Sequence, residues 1–332
     1  MKTVSNSQDI VVGTAHSSSP GVIKGSLRVA DAPDGSPLEA PVVIVRGTSP
    51  GPVLWLHGCV HGNEYCGTWI IHELIASLDP AKLAGAVVAL PVLNISAFQK
   101  NQRMSPYEGF NGGDMNRQFP GSAAGTLTQQ MAHAVYEPLK AHATVLIDFH
   151  TAMTTDVRWA LFPKVGGEVE ALSEKVARAF GYDSTLPAPP AILAGSAMMT
   201  AAKDGIASYI VECGGKSRAF TDESVADAAE RLRNVMRALG MLAGAVKDHG
   251  PLTYFSNFAW VTASRGGLFQ KAVNCGDHLE KGSLLGRYVD VWGDEDGEAR
   301  SPEAGVVLAI HPGPLMANGE TLVHIGLDPK AA

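Results

Sequence analysis

The sequence predicts an α/β protein with a mixed, largely parallel sheet, followed by a small C-terminal all-β domain. Two observations carry this expectation. From Gly51 to about Gly250, apolar strand-like runs alternate with helical segments, the pattern of a sheet wound with crossover helices. After Asp248-His249-Gly250-Pro251 the helical periodicity disappears, and short strands separated by glycine turns take over. A chain of 332 residues can hold a large core and a smaller domain. The expected division is 1–250, including an N-terminal β segment, and 251–332.

The elements follow in order. The first 50 residues place Pro, Gly and Ser turns around short β-like runs at 22–29 and 41–45. Residues 53–57, Val-Leu-Trp-Leu-His, read as a buried strand, 58–62 as a turn and 65–78 as a helix. Further strands are expected at 86–93, 144–149 and 208–211, and further helices at 126–140, 168–180 and 222–242. Thr221-Asp222-Glu223-Ser224 supplies a cap and an acidic first turn for the last helix. Pro187-Ala188-Pro189-Pro190 reads as an ordered loop, because α/β texture resumes after it. Beyond 250, strands are expected at 259–262, 267–270, 284–291, 305–310 and 321–325. That stretch carries six Lys/Arg against ten Asp/Glu, so it is acidic for its size.

Composition narrows the function. The net charge is −7 with no basic cluster, which argues against a nucleic-acid partner. No apolar run approaches the roughly 20 residues of a membrane helix. Met1-Lys2-Thr3-Val4-Ser5-Asn6 lacks an apolar signal core, so the expected location is the cytoplasm. Four cysteines, Cys59, Cys66, Cys213 and Cys275, show no paired spacing and read as reduced packing residues. A homo-oligomer is the base-rate expectation.

The chemistry concentrates in His61-Gly62-Asn63-Glu64 and in His150, which lies 86 positions beyond Glu64. A His and a Glu three residues apart plus a distant His make a His2Glu set, which holds one catalytic zinc and leaves a position open. Both segments sit at the ends of apolar runs, where open α/β sheets place their sites. His-x-x-Glu alone is a weak signal. Three further clusters accompany it: Asn94 to Arg103, Gly113 to Gly121, and Tyr209-Ile210-Val211-Glu212-Cys213-Gly214-Gly215. Asp148 lies two residues before His150, hence on the same strand face, and can orient that ligand.

HGNE at 61–64, the Arg103 region, DMNRQFPG at 114–121, DFHT at 148–151 and VECGG at 211–215 occur in the order found in one family. The chain resembles the succinylglutamate desuccinylase/aspartoacylase family over roughly residues 50–327. Those enzymes are zinc-dependent amidohydrolases related to zinc carboxypeptidases, so the resemblance implies a carboxypeptidase-like α/β/α sandwich with a C-terminal β domain. It implies that His61, Glu64 and His150 bind one zinc ion. Arg103 would polarise the scissile carbonyl, Asn116 and Arg117 would grip a substrate carboxylate, and Glu212 would be general base and then acid. Asp114 would orient the arginine or a metal-bound histidine.

Each role has a physical reason. Zinc lowers the pKa of water toward about 7 and polarises a carbonyl. A carboxylate can take the water proton and later deliver it to the leaving amine. A guanidinium makes two parallel hydrogen bonds to a carboxylate. The bland alternatives are a salt bridge of Arg117 with Asp114, a solvent-facing Arg103 and a surface Glu212. His57 reads equally as core packing or as support for the site. The C-terminal segment is similar to a biotinyl/lipoyl-type barrel but lacks the Met-Lys pair of a carrier; it reads as a structural or gating domain, with Tyr288 or Arg265 as candidates to reach substrate. The expected activity is deacylation of a small N-acyl amino acid or amine bearing a carboxylate. Rival readings are a zinc carboxypeptidase and a non-catalytic zinc-binding ligand sensor.

Overall fold

The computed structural model describes residues 8–108, 110–151, 157–214 and 220–332. Met1–Asn6 and Gly215, to which the sequence reading refers, lie outside them. A ten-stranded sheet runs through the protein. Its middle is parallel: Ala84–Leu90, Ser49–His57, Val145–His150 and Ala207–Gly214 lie side by side. On one flank the sheet continues into Pro37–Arg46 and Gly21–Asp31, both antiparallel. The short β-like runs of the first 50 residues are thus parts of two long sheet strands, 10 and 11 residues in length. On the other flank come Val157–Pro163 and Ser184–Ala188. The second of these corrects the expected loop, because Pro187 and Ala188 pair with Phe162 and Pro163.

Helices cover both faces, as in an α/β/α sandwich. Cys66–Ser77, Gly167–Phe180 and Asp222–Ala238 pack on one face through Ile70, Leu74, Val176, Leu232 and Val235. Leu127–His142 packs on the other through Met131, Val135 and Leu139. The strands between them are buried on both sides, which is why they read as continuous apolar runs rather than alternating ones. The Thr221 side chain accepts from the Ser224 amide and Asp222 and Glu223 occupy the first turn of its helix. That helix stops at Ala238, short of the expected Leu242, because Gly240 adopts φ +74° and turns the chain out of the helical path.

Beyond residue 256 the chain is all β. Asn257–Thr262, Thr321–Leu327, Gly305–Ile310 and His278–Leu279 form one four-stranded sheet. Glu295–Arg300, Leu284–Val289, Gly267–Lys271 and Leu315–Met316 form a second. Phe269, Leu285, Val307, Leu322 and Ile325 fill the space between them. The two ends of this segment return to the large sheet: Thr253–Tyr254 pairs with Ser184–Ala188, and Lys330–Ala331 pairs with Thr253–Tyr254. A separate apolar cluster, including Trp159, Leu161, Ile210, Phe255 and Leu308, joins the β segment to the sheet beside the strand that carries Glu212. No helix among the described residues is long and apolar enough to cross a membrane.

Candidate active site

Three adjacent parallel strands, Ser49–His57, Val145–His150 and Ala207–Gly214, end at one edge of the sheet. The loop after the first supplies His61 and Glu64, the second ends on His150, and the third carries Glu212. Glu212 is in register with His150 on the neighbouring strand, so both side chains project to the same face. Gly62 has a steric reason. A Cβ there would fall 2.1 Å from the carbonyl carbon of Ala97, so only glycine lets the loop pack onto the Ile95–Gln99 helix. The Gly62 amide also donates to the Arg103 carbonyl at 3.2 Å, which ties the second cluster to the first.

His61, Glu64 and His150 are buried and converge. His61 Nδ1, Glu64 Oε2 and His150 Nδ1 form a triangle with all three edges 3.1 Å. The outer nitrogens face carboxylates: His61 Nε2 lies 3.1 Å from Asp114 Oδ1, and His150 Nε2 lies 3.2 Å from Asp148 Oδ2. Carboxylates placed there favour ring protons on the outside, which would turn the lone pairs inward toward a metal. Three inward-facing electron-pair donors at van der Waals contact repel unless a cation lies among them. Bonds of about 2.0–2.1 Å at tetrahedral angles place zinc ligands about 3.3 Å apart, close to the observed edges. The donor set therefore fits zinc, with His61, Glu64 and His150 as the residues that would hold it.

The surroundings keep these groups in the required states. Burial works against a charged Glu64, but the neighbouring His61, Arg103 and His150 hold its carboxyl well below the usual range. The Thr151 amide donates to Oε2 at 3.1 Å and Arg103 Nη1 donates to Oε1 at 2.5 Å. Asp114 is likewise held low despite its burial, through His61 and the two arginines, Arg103 and Arg117. Burial pushes Glu212 up to about 7; His150 and Arg103 oppose the rise, while Glu64 and Asp148 add to it. Behind the site, Trp55 Nε1 donates to His57 Nε2 at 2.9 Å, and His57 Nδ1 lies 3.9 Å from Asp148 Oδ1. His57 is wholly buried and burial pulls it down to about 4, so it stays neutral behind Asp148. Cys59 and Cys213 touch the site only through packing and weak hydrogen bonds, to the Glu64 and His150 carbonyls. Burial raises the Cys59 thiol to about 12, and the bond from Cys66 together with burial raises Cys213, so neither is a thiolate.

A cavity of about 440 Å³ opens over the triangle, and Arg103, Asn116, Arg117 and Glu212 line it. Asn116 Oδ1 accepts from the Ala197 amide at 3.2 Å, leaving its Nδ2 beside His150 at 3.3 Å. Arg117 Nη1 donates to the Asn116 carbonyl at 2.7 Å, while Asp114 pairs with His61. Of the two orientations open to Asp114 from sequence, the structure has the one toward histidine. Tyr288 and Arg265 do not reach the cavity: Tyr288 is buried in the β segment's own core, and Arg265 lies over its ring and pairs with Asp296. The β segment instead contributes Phe258, Trp260, His311, Glu320 and Thr321 to the wall. Sequence reasoning missed all five, because none has a local motif and only the return of the β segment to the sheet brings them there.

Comparison with known proteins agrees with this architecture. A profile of the succinylglutamate desuccinylase/aspartoacylase catalytic domain matches residues 50–239. The N-alpha-acetyl-L-2,4-diaminobutyric acid deacetylase of Halomonas elongata is 28% identical over 305 residues, covering 87% of this chain and 86% of the relative. The product-bound ectoine utilization protein EutE (DoeB) of Ruegeria pomeroyi superimposes with a TM-score of 0.82 at 26% identity, over 93% of this chain and 96% of that one. A succinylglutamate desuccinylase/aspartoacylase of Rhodobacter sphaeroides shares the fold, with a TM-score of 0.81 at 24% identity over 94% and 96% of the two chains. The chain therefore belongs to the succinylglutamate desuccinylase/aspartoacylase family and is an amidohydrolase.

Proposed function

We propose that this protein is a zinc-dependent deacylase that hydrolyses the amide of an N-acyl amino acid or a related small acylated amine. The observation that carries the reading is the 3.1 Å triangle of His61, Glu64 and His150 at a cavity that Glu212 also lines. When bound, zinc supplies an electrophilic centre that acidifies water and polarises the amide carbonyl. Glu212 takes a proton from water and returns it to the departing amine; a carboxyl with a pKa near 7 is suited to both transfers at neutral pH. Arg103 stabilises negative charge developing on the carbonyl oxygen. Arg117, with the Asn116 amide, holds a substrate carboxylate. Asp114 and Asp148 orient the two histidines.

The named substrate of the Halomonas relative, an Nα-acetylated diamino acid, supports a small acyl group and an amino-acid leaving group. A cavity of about 440 Å³ suits a ligand of that size better than a polypeptide end, which weighs against the carboxypeptidase alternative. A placed Glu212 weighs against a pure sensor, since binding alone has no need of a base. The same proposal takes residues 251–332 as a domain that walls the site. It also takes the cytoplasm as the location, a reading supported by four cysteines free of disulfides.

The test is primary-amine release by zinc-loaded protein across N-acetyl and N-succinyl amino acids and diamines, with chelator controls. Chelator-sensitive release from a subset is the expected result. No release from any, with one zinc bound per chain, would sink the deacylase reading.

A further inference from the structure

Of the three carboxylates that line the cavity, Glu64 belongs to the metal triangle and Glu212 to proton transfer; Glu320 serves neither. Glu320 arrives from the β segment just before the Thr321–Leu327 strand, where its carbonyl accepts from the Ala263 amide at 2.7 Å. Its Oε2 accepts from the Ala317 amide at 2.6 Å and closes a turn, which leaves Oε1 for another partner. Trp260 lies on the strand paired with Thr321–Leu327 and lines the same cavity. One face of its indole stacks on buried His324, with ring centroids 3.7 Å apart and planes 9° apart, and Phe258 meets it edge-on. The ring is therefore held in place, yet it remains 50% exposed. A fixed indole with an open face, lining one cavity with a carboxylate whose Oε1 has no partner among the described residues, makes a receptor for a cation. Arg103 and Arg117 line the same cavity with the opposite charge, so its lining is bipolar.

We infer that Glu320 and the open face of Trp260 form a specificity-determining subsite for an ammonium group on the amino-acid part of the substrate. This rests on the deacylase reading and deepens it: the preferred substrates are N-acyl amino acids with a short basic side chain. The carboxylate goes to Arg117 and the side-chain ammonium to Glu320, so the two charges fix which end of the molecule presents its amide to the metal.

The experiment compares kcat/KM of the zinc enzyme on Nα-acetyl-2,4-diaminobutyrate, Nα-acetyl-norvaline and Nα-acetyl-glutamate, for wild type, Glu320→Gln and Glu320→Lys. Glutamine keeps an acceptor for the Ala317 amide, so the turn survives; equal thermal midpoints check this. The wild type prefers the cationic substrate. Glu320→Gln reduces that preference about two- to fivefold, the range for a solvent-accessible ion pair, chiefly through KM. Glu320→Lys shifts it further, toward the acidic substrate. The wild-type preference shrinks in about 1 M salt, where screening is nearly complete; a purely structural role for Glu320 would leave the salt dependence unchanged. Turnover of all three substrates with ratios unmoved by either substitution overturns the inference and leaves the deacylase standing. Failure to turn over these three or any other N-acyl amino acid overturns the reading beneath it.

Discussion

Replacing His324 with phenylalanine should make the protein markedly more resistant to mild acid. His324 is fully buried on the Thr321–Leu327 strand, and neither ring nitrogen finds a hydrogen-bond partner among the described residues. Its ring lies against Trp260 at 3.7 Å and meets Trp159 and Phe258 edge-on at 4.9 and 4.6 Å. Burial alone pulls its pKa from the ordinary 6.5 down to about 3. The unfolded chain therefore gains a proton near pH 6.5 that the folded protein refuses until about pH 3. Stability from this residue is fully present above pH 6.5 and is lost as pH falls, at about 1.4 kcal/mol per pH unit. By pH 5 the loss is about 2 kcal/mol. Phenylalanine preserves the aromatic stacking and cannot be protonated. At pH 8 it should change stability by about 1 kcal/mol or less, since removing two unpaired polar atoms offsets its slightly larger ring. At pH 5 it should gain a further 2 kcal/mol or so over wild type. Urea unfolding of both metal-free proteins at the two pH values, followed by tryptophan fluorescence, measures the difference, and titrations common to both cancel. Equal differences at pH 5 and pH 8 would refute the reasoning, and would mean that the surrounding rings hold an imidazolium by cation–π attraction.

Four further outcomes are expected. Glu212→Gln should bind zinc with full stoichiometry while kcat falls about 10²–10⁴-fold, the usual contribution of a positioned base; a variant retaining a tenth of wild-type activity would remove Glu212 from proton transfer. Only the carboxylate form accepts a proton, so kcat/KM of the wild type should climb with pH along a limb at or below about 7, lower where a bound cation favours the carboxylate. A profile that declines from pH 5 to pH 7 would contradict this. Asp148→Asn should weaken zinc binding about 10–100-fold, because the amide no longer anchors the outer His150 proton as strongly; competition against a chromophoric chelator reads it. Gly62→Ala should lose zinc altogether, since its Cβ has no room against Ala97 and the loop carrying His61 and Glu64 must move; metal analysis after dialysis would expose an error here.

Legibility from sequence followed burial. Strands buried on both faces, such as Ser49–His57 and Val145–His150, are continuous apolar runs and can be read directly. The candidate site residues sit at or just beyond the run ends, so His61, Glu64, His150 and Glu212 were each visible from local texture. Glu295–Arg300, Glu-Asp-Gly-Glu-Ala-Arg, was not legible: it is a mostly exposed strand at a sheet edge, where charge blunts unwanted pairing and hides the apolar signal. Val157–Pro163 and Ser184–Ala188 were missed because short runs interrupted by Arg158 or Pro187 have no period of their own. Their strand identity comes from the neighbours they pair with.

By itself the sequence determined the α/β class, the order of the main elements, the switch to β structure near residue 250 and the motif residues of the site. These depend on local hydrophobic pattern and on short spacings, which a chain carries wherever it folds. Only the tertiary structure decided that Asp114 faces His61 and that His57 stays neutral behind the site. Only it brought Phe258, Trp260 and Glu320 to the cavity in place of Tyr288 and Arg265. Those contacts join residues roughly 50 to 260 positions apart, and their partners are chosen by sheet register and by the return of the β segment to the sheet, neither of which leaves a local trace.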